Sequence, residues 1–424
     1  MKKISLALLF PVLVSAAFAG PFEQLRRGLE LPAVPGPAFS PEAPGHLQGD
    51  GRFWVTVAAQ DKYDRSALLN AGLDIVETGR YSVSGFISGG ELEQLAAKGF
   101  QVKSRQSIQD YARQHLKDFP LNDAAYHNYK ETTDLLVKLA GENPAETSLF
   151  SIGKTTEGRD IWCLRLNPAE KGETPSARPA AFFMGNHHGR EHLSNEVSLA
   201  LARHLLQNKN APEIRKFLDT LDIYIAPMTN PDGAEYDIAT GKYRWHRKNT
   251  RVNADQSIGV DLNRNYDSLW CQAGASHYPG SDTYCGPSAF SEPETRAVRD
   301  FVLARPNIKT LMSYHSYSSL LLYPWAGKDS PVENERDRKV FEALAKGMTA
   351  YTGYTPQQSS DLYVATGDTT DWAYAARGIF SFTTELEGTT FYPGAAMIEK
   401  ASAKNVKAAL YLLGATDDPY KLSR

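Results

Sequence analysis

The stretch AAFFMGNHHGREHLSNE, residues 180–196, decides how the chain is read. An apolar run from Ala180 to Met184 stops at Gly185, a polar run carrying His188 and Glu191 follows, and from Leu193 the apolar spacing becomes helical. This is the pattern of a buried strand delivering a loop into a helix. Two residues three apart on the turn entering a helix reach to one side, so a nitrogen of His188 and an oxygen of Glu191 can share one cation. Such donors suit zinc, whose catalytic sites take three protein ligands and keep one position open. The third donor has to come from afar, and His315 fits. It lies in IKTLMSYHSYSSLLLYPW (308–325), where the run 308–312 again reads as a buried strand with a polar tip. An H-x-x-E string is common by chance, and its weight here comes from the blocks around it.

Working outward, the first residues combine Lys2 and Lys3, an apolar stretch at 4–14 and Ala17-Phe18-Ala19 before Gly20. That is a secretory signal over 1–19, too short for a span of about 20 residues, so a secreted or periplasmic protein off the membrane is expected. A Pro-rich linker occupies 20–49. The segments FWVTVAA, LDIVE, YSVSGFI, ELEQLAAKG and FQVK then read as a small β-α-β-β-α-β unit. With its connector it covers 50–117 and holds no cluster of His, Cys or paired acids, so it is read as a pro-domain. The connector 104–117, with Arg105, Arg113 and Lys117, is the expected site for an activating protease.

The main domain, 118–424, opens with an amphipathic helix and then alternates strands (147–152, 161–166, 180–184, 221–226, 308–313, 379–384) with helices (196–206, 292–303, 340–351, 395–412). The fold class is therefore α/β, a mixed and mostly buried central sheet flanked by helices, preceded by the small α+β unit. Across the 424 residues, 46 Lys and Arg face 49 Asp and Glu, so no basic field points to nucleic acid, and a monomer is expected. Cys271 and Cys285 bracket a polar loop and are either bridged or two free thiols; Cys163 sits in strand-like IWCLRL as a small apolar residue.

Two further blocks carry chemistry. YRWHRKNTRVN (243–253) and GVDLNRNYD (259–267) bring Arg247, Asn263 and Arg264, and an arginine fork binds a carboxylate bidentately. In DLYVATGDTTDWAYAARGIFSFTTELEG (361–388), Glu385 tips the strand IFSFTTE, where an acid is either paired or a base with raised pKa, and Tyr363 lies on a Gly- and Asp-rich loop able to close over a ligand.

Taken together, HGRE, WHRKNTR, DLNRNYD, YHSYSSLLLYP, LYVATGDTTDW and FTTEL resemble, in order and spacing, the zinc metallocarboxypeptidases typified by pancreatic carboxypeptidases A and B. The likeness runs from about Tyr126 to the C-terminus, and the N-terminal unit resembles that family's inhibitory pro-segment. It implies one zinc ion on His188, Glu191 and His315, with Glu385 as base and Arg247 beside the scissile carbonyl. It implies a clamp of Asn263, Arg264 and Tyr363 on the terminal carboxylate of a peptide or protein, with Arg190 as a further substrate contact and Asp261 orienting a histidine ligand. His246 separates Trp245 from Arg247 where the family has a tighter pair, and the spacing to Asn263 favours Arg247 over Arg244 and Arg251. The pocket for the C-terminal side chain falls at Thr370, with Ala326, Ala365 and Thr383 beside it and no carboxylate expected on its floor. That implies apolar or aromatic preference, mixed if Asp368 takes part. His187, His192 and His246 are read as neighbours, not ligands. The alternatives are a cell-wall stem-peptide carboxypeptidase on the same fold, an amide-bond acylase lacking the clamp, and a metal-free binding module.

Overall fold

The computed structural model describes residues 51–108, 123, 125–239 and 243–423; the expected signal and Pro-rich linker, and Arg113 and Lys117 of the connector, lie outside them. The first segment has the expected order: β1 (Arg52–Ala58), α1 (Lys62–Asn70), β2 (Asp74–Gly79), β3 (Ser82–Ser88), α2 (Gly89–Ala97) and β4 (Val102–Ser107). Asp61 caps α1 by accepting from the Tyr63 and Asp64 amides, and Ser88 caps α2. The sheet runs β2-β3-β1-β4. Period-two alternation gives it two working faces. Val55, Val57, Val83 and Ile87 pack on Leu68, Leu92 and Leu95 beneath, while Trp54 and Phe86 on the opposite face pack against Trp245 and Phe391 of the main domain. The unit thus has a core of its own and an apolar underside. The connector starts later than expected, because β1 offers an edge on which Ser104 to Ser107 pair as part of β4.

Next come α3 (Tyr129–Glu142), with an Asn128/Glu131 capping box, then β5 (Thr147–Lys154), β6 (Asp160–Leu166), β7 (Ala180–Gly185), α4 (His192–Gln207), α5 (Pro212–Thr220), β8 (Asp222–Ala226), α6 (Pro231–Ile238) and α7 (Pro293–Leu303). The rest is β9 (Ile308–Ser316), β10 (Leu320–Tyr323), α8 (Glu335–Thr352), β11 (Thr355–Gln358), α9 (Ser359–Leu362), α10 (Thr369–Arg377), β12 (Phe380–Leu386) and α11 (Ala396–Thr416). The eight-stranded sheet has the order β11-β10-β12-β9-β7-β8-β6-β5. Its centre, β12-β9-β7-β8, is parallel, and antiparallel pairings of β10 with β12 and of β6 with β8 and β5 flank it.

Burial on both faces explains the unbroken apolar runs in the central strands. Phe183, Ile225, Met312 and Phe382 meet Val197 of α4, Phe341 of α8 and Leu412 of α11, whereas their neighbours Phe182, Tyr224 and Leu311 meet Phe301 of α7 and Trp372 of α10. Cys271 and Cys285 are bridged, with 5.9 Å between their Cα atoms. Cys163 is free and buried, and burial pushes its thiol up to about 12. Among the described residues no helix is long and apolar enough to cross a membrane.

Candidate metal centre and cleft

The carboxyl ends of β7, β9 and β12 lie side by side, the place where parallel sheets present their sites. His315 is in register with Glu385, and Tyr314 with Gly185. Beyond Gly185 the chain turns through Asn186, at φ 54°, whose side-chain amide donates to the His188 carbonyl at 2.9 Å. Gly189 is obligatory, since a Cβ there would stand 2.4 Å from the Gly233 carbonyl oxygen and 2.8 Å from that of His246. This turn delivers His188 and Glu191 to the tip of β9.

Three donors converge there. Nδ1 of His188 is 2.7 Å from Glu191 Oε1, and Nδ1 of His315 is 3.0 Å from Glu191 Oε2 and 3.2 Å from His188 Nδ1. Each ring's other nitrogen has an outward partner: His188 Nε2 lies 3.2 Å from Asp261 Oδ1 and His315 Nε2 lies 3.0 Å from Ser313 Oγ. With the ring protons held on the outer nitrogens, two lone pairs and a carboxylate face one point, which fits zinc. Burial alone would raise Glu191, but the two imidazoles beside it hold it below the usual carboxylate range. Cys271, His277 and Cys285 also converge, but the bridge occupies both sulfurs.

A cleft of about 290 Å³ opens over this centre, lined by His188, Glu191, Glu385, Arg190, Arg247, Asn263, Arg264 and Tyr363. His315 lies beneath it, buried. Burial first, and the charge of Glu191 second, push Glu385 up to about 8. Asp261 holds His188 with one oxygen and accepts from Arg247 Nε at 2.9 Å with the other. The same side chain accepts the Asn263 amide at 2.9 Å and so closes the turn that carries the next two lining residues. Arg264 is fixed by the Gly274 and Asn263 carbonyls, at 2.7 and 2.8 Å. Of the other arginines in that block, Arg251 pairs with Glu292 at 2.8 Å and Arg244 lies over the Tyr236 ring. His192 and His246 turn to Asp237 and the Asn249 carbonyl, away from the donor set. His187 is buried against His315, and burial pushes it well below the usual imidazole range.

Thr370 stands apart from the cleft lining. It is buried in the first turn of α10, where its hydroxyl meets Asp368 Oδ1 at 3.1 Å. Two acids adjoin it, one of them the Asp368 on which a mixed preference was expected to turn. Asp371 accepts from the Ala326 and Gly327 amides, and Asp368 from Thr370 and the Asp371 amide; burial raises both.

Sequence reasoning missed the cleft's fourth wall. Asp74, Ile75, Val76 and Thr78 of β2 line it, and the Asp74 carboxylate meets Arg190 and lies 3.4 Å from Arg247. Arg190 is fully buried, stacked 4.2 Å from the Phe391 ring centre and paired also with Asp282 at 3.4 Å. An isolated Asp in a strand gives no local signal of such a contact, because its partners are more than a hundred residues away.

A buried His-Glu-His set at parallel strand ends, faced by an acid of raised pKa in a cleft with three arginines, defines a metal-dependent hydrolase. A family profile described as zinc carboxypeptidase matches residues 132–408, and the chain belongs to that family. It is 34% identical over 316 residues to a zinc carboxypeptidase of Saccharothrix mutabilis subsp. capreolus, covering 71% of this chain and 72% of the relative. It is 35% identical over 276 residues to human carboxypeptidase A1, covering 64% of each chain. The crystal structure of carboxypeptidase A from Helicoverpa armigera superimposes with a TM-score of 0.74 at 24% identity, covering 88% of this chain and 99% of the other, which supports the fold.

Proposed function

We propose that this zinc metallocarboxypeptidase is exported, is made as a zymogen, and releases the C-terminal residue of peptides with a preference for apolar or aromatic side chains. The observation that carries the reading is a single cleft lined at once by His188, Glu191 and Glu385 and by Arg247, Asn263, Arg264 and Tyr363. His188, Glu191 and His315 would hold zinc, whose Lewis acidity would serve to polarise a peptide carbonyl and acidify water. Glu385 takes the proton of the attacking water and returns it to the departing amine. Arg247 donates to the developing oxyanion, where one fixed donor typically lowers a barrier by about 3 kcal/mol. Arg264, Asn263 and Tyr363 hold the terminal carboxylate, which restricts cutting to the last bond, and Arg190 contacts the substrate further along.

Apolar preference at Thr370 is supported by the state of its acidic neighbours: Asp368 and Asp371 are raised by burial and already engaged by hydrogen-bond donors. The zymogen reading is supported by Asp74, which pairs with Arg190 and Arg247, the residues assigned to the extended substrate and to the oxyanion, and by α1. Arg65 donates to the Leu362 and Asp361 carbonyls at 2.5 and 3.0 Å, and Ser66 Oγ accepts the Val364 amide at 2.9 Å, so Tyr363 is bracketed on both sides. Of the three basic residues proposed for cleavage, Arg105 is paired opposite Val55 within β4 and is a poor protease target, which favours Arg113 or Lys117.

The test is a peptide panel varied at its last residue, with free and amidated ends. Free ends are expected to be cut one residue at a time and amidated ends roughly 10²-fold more slowly or worse. Equal rates on both would remove the clamp, and fastest release of Lys or Arg would transfer the pocket to Asp368.

A further inference from the structure

His315, Ser313, His187, Thr369 and Asn263 form an unbroken line of buried hydrogen-bonding groups from the metal centre to the clamp. Ser313 Oγ lies 3.0 Å from His315 Nε2 and 3.2 Å from His187 Nδ1. His187 Nε2 lies 3.2 Å from Thr369 Oγ1 and 3.0 Å from the Tyr266 hydroxyl. The His187 ring stacks on that of His315, 5.5 Å between centroids and 16° from parallel.

The polarity of this line is set from both ends. A backbone N–H can only donate, so the Asn263 atom 3.0 Å from the Thr369 amide is the side-chain oxygen, and the Thr369 hydroxyl donates to the same oxygen at 2.9 Å. The Asn263 amide nitrogen is thereby left for the cleft. With its proton committed, Thr369 Oγ1 accepts from His187 Nε2. At the other end a ligating Nδ1 of His315 carries no proton, so its Nε2 does, and that group donates to Ser313, whose own proton goes to His187 Nδ1. The Ser313 end thus sets one tautomer of His187, with a bare Nδ1 and the proton on Nε2, and the Thr369 end is consistent with it, Nε2–H being shared between Thr369 Oγ1 and the Tyr266 hydroxyl oxygen.

We propose that His187, acting through Ser313 and Thr369, is a positioning residue that couples the tautomer of the zinc ligand His315 to the orientation of the Asn263 amide, so that each end holds the other ready. The Asn263 half rests on the clamp proposed above; the His315 half does not.

Nitrogen-15 NMR of the full-length, zinc-loaded protein with labelled histidine rings reads the tautomer directly. A His187 ring protonated at Nε2 alone is expected, and a ring protonated at Nδ1 overturns the proposal. His187→Phe keeps the stacked ring and removes both nitrogens, so zinc affinity by chelator competition should fall roughly tenfold. Thr369→Val should shift the His187 Nε2 signal and weaken zinc binding to a smaller degree, with Thr369→Ser restoring both. Wild-type zinc affinity in both His187→Phe and Thr369→Val also overturns the coupling, and the wild-type spectrum decides alone should either variant fail to fold. None of these readouts uses a peptide, so they stay separate from the amidated-peptide comparison that tests the clamp.

Discussion

Glu385 shares a register position with His315 and stands half-buried near Glu191, and this setting lifts its carboxyl to about 8. A cation at the donor set acts in the opposite sense, since it favours the charged carboxylate. Titration of labelled glutamate in the metal-free protein should therefore give a value near 8 that falls when zinc is added; no movement would place Glu385 electrostatically remote from the metal. As the proposed base it would work only when deprotonated, so kcat/KM should drop as pH falls through its working value. Glu385→Gln should keep zinc affinity within a few-fold and lower kcat by about 10²–10⁴.

Single elements decide whether that chemistry is reachable. β2 starts with Asp74 against Arg190 and Arg247, while α1 holds the backbone on either side of Tyr363. Neutralising the acid leaves Arg190 with Asp282 and Arg247 with Asp261, both contributed by the main domain. Asp74→Asn should thus raise peptide cleavage by the intact chain about tenfold, the order expected from loosening one buried charged contact. In the form lacking residues 1–117 it cannot act at all. An unchanged rate in the intact chain would count against the zymogen reading. The β4 edge, which takes in Arg105, shows why the cleavable stretch is shorter than composition suggested.

At the scale of the whole molecule, stability depends also on an acid buried outside the cleft lining. Glu294, in the first turn of α7, accepts from the Thr156 amide at 3.0 Å and from Asn249 at 3.1 Å, and burial pushes it up to about 7. Its folded pKa exceeds its unfolded value, so the folded state binds the extra proton between about 4.5 and 7. The contribution is complete below the unfolded value and is lost as pH rises through 7. Glu294→Gln should remove this slope, which amounts to roughly 3 kcal/mol at most by the conversion of 1.36 kcal/mol per pKa unit. Urea unfolding of both proteins at pH 5 and pH 8 measures it, and parallel slopes would refute it.

The sequence alone carried the donor set, because His188 and Glu191 are neighbours on one turn and His315 ends a recognisable strand. It carried Glu385, Arg247, Asn263, Arg264 and Tyr363 as members of ordered blocks, and the sheet through its long apolar runs. The short strands β10 and β11 and the helices α5, α6, α9 and α10 went unread, since a few residues hold too little periodicity to separate strand from helix. Only the tertiary structure brought Asp74 to Arg190, set the Thr370 hydroxyl on Asp368, and lined up His187 between the metal centre and Asn263. Those contacts join residues far apart in the chain, so their energies depend on burial and direction, which local spacing does not record.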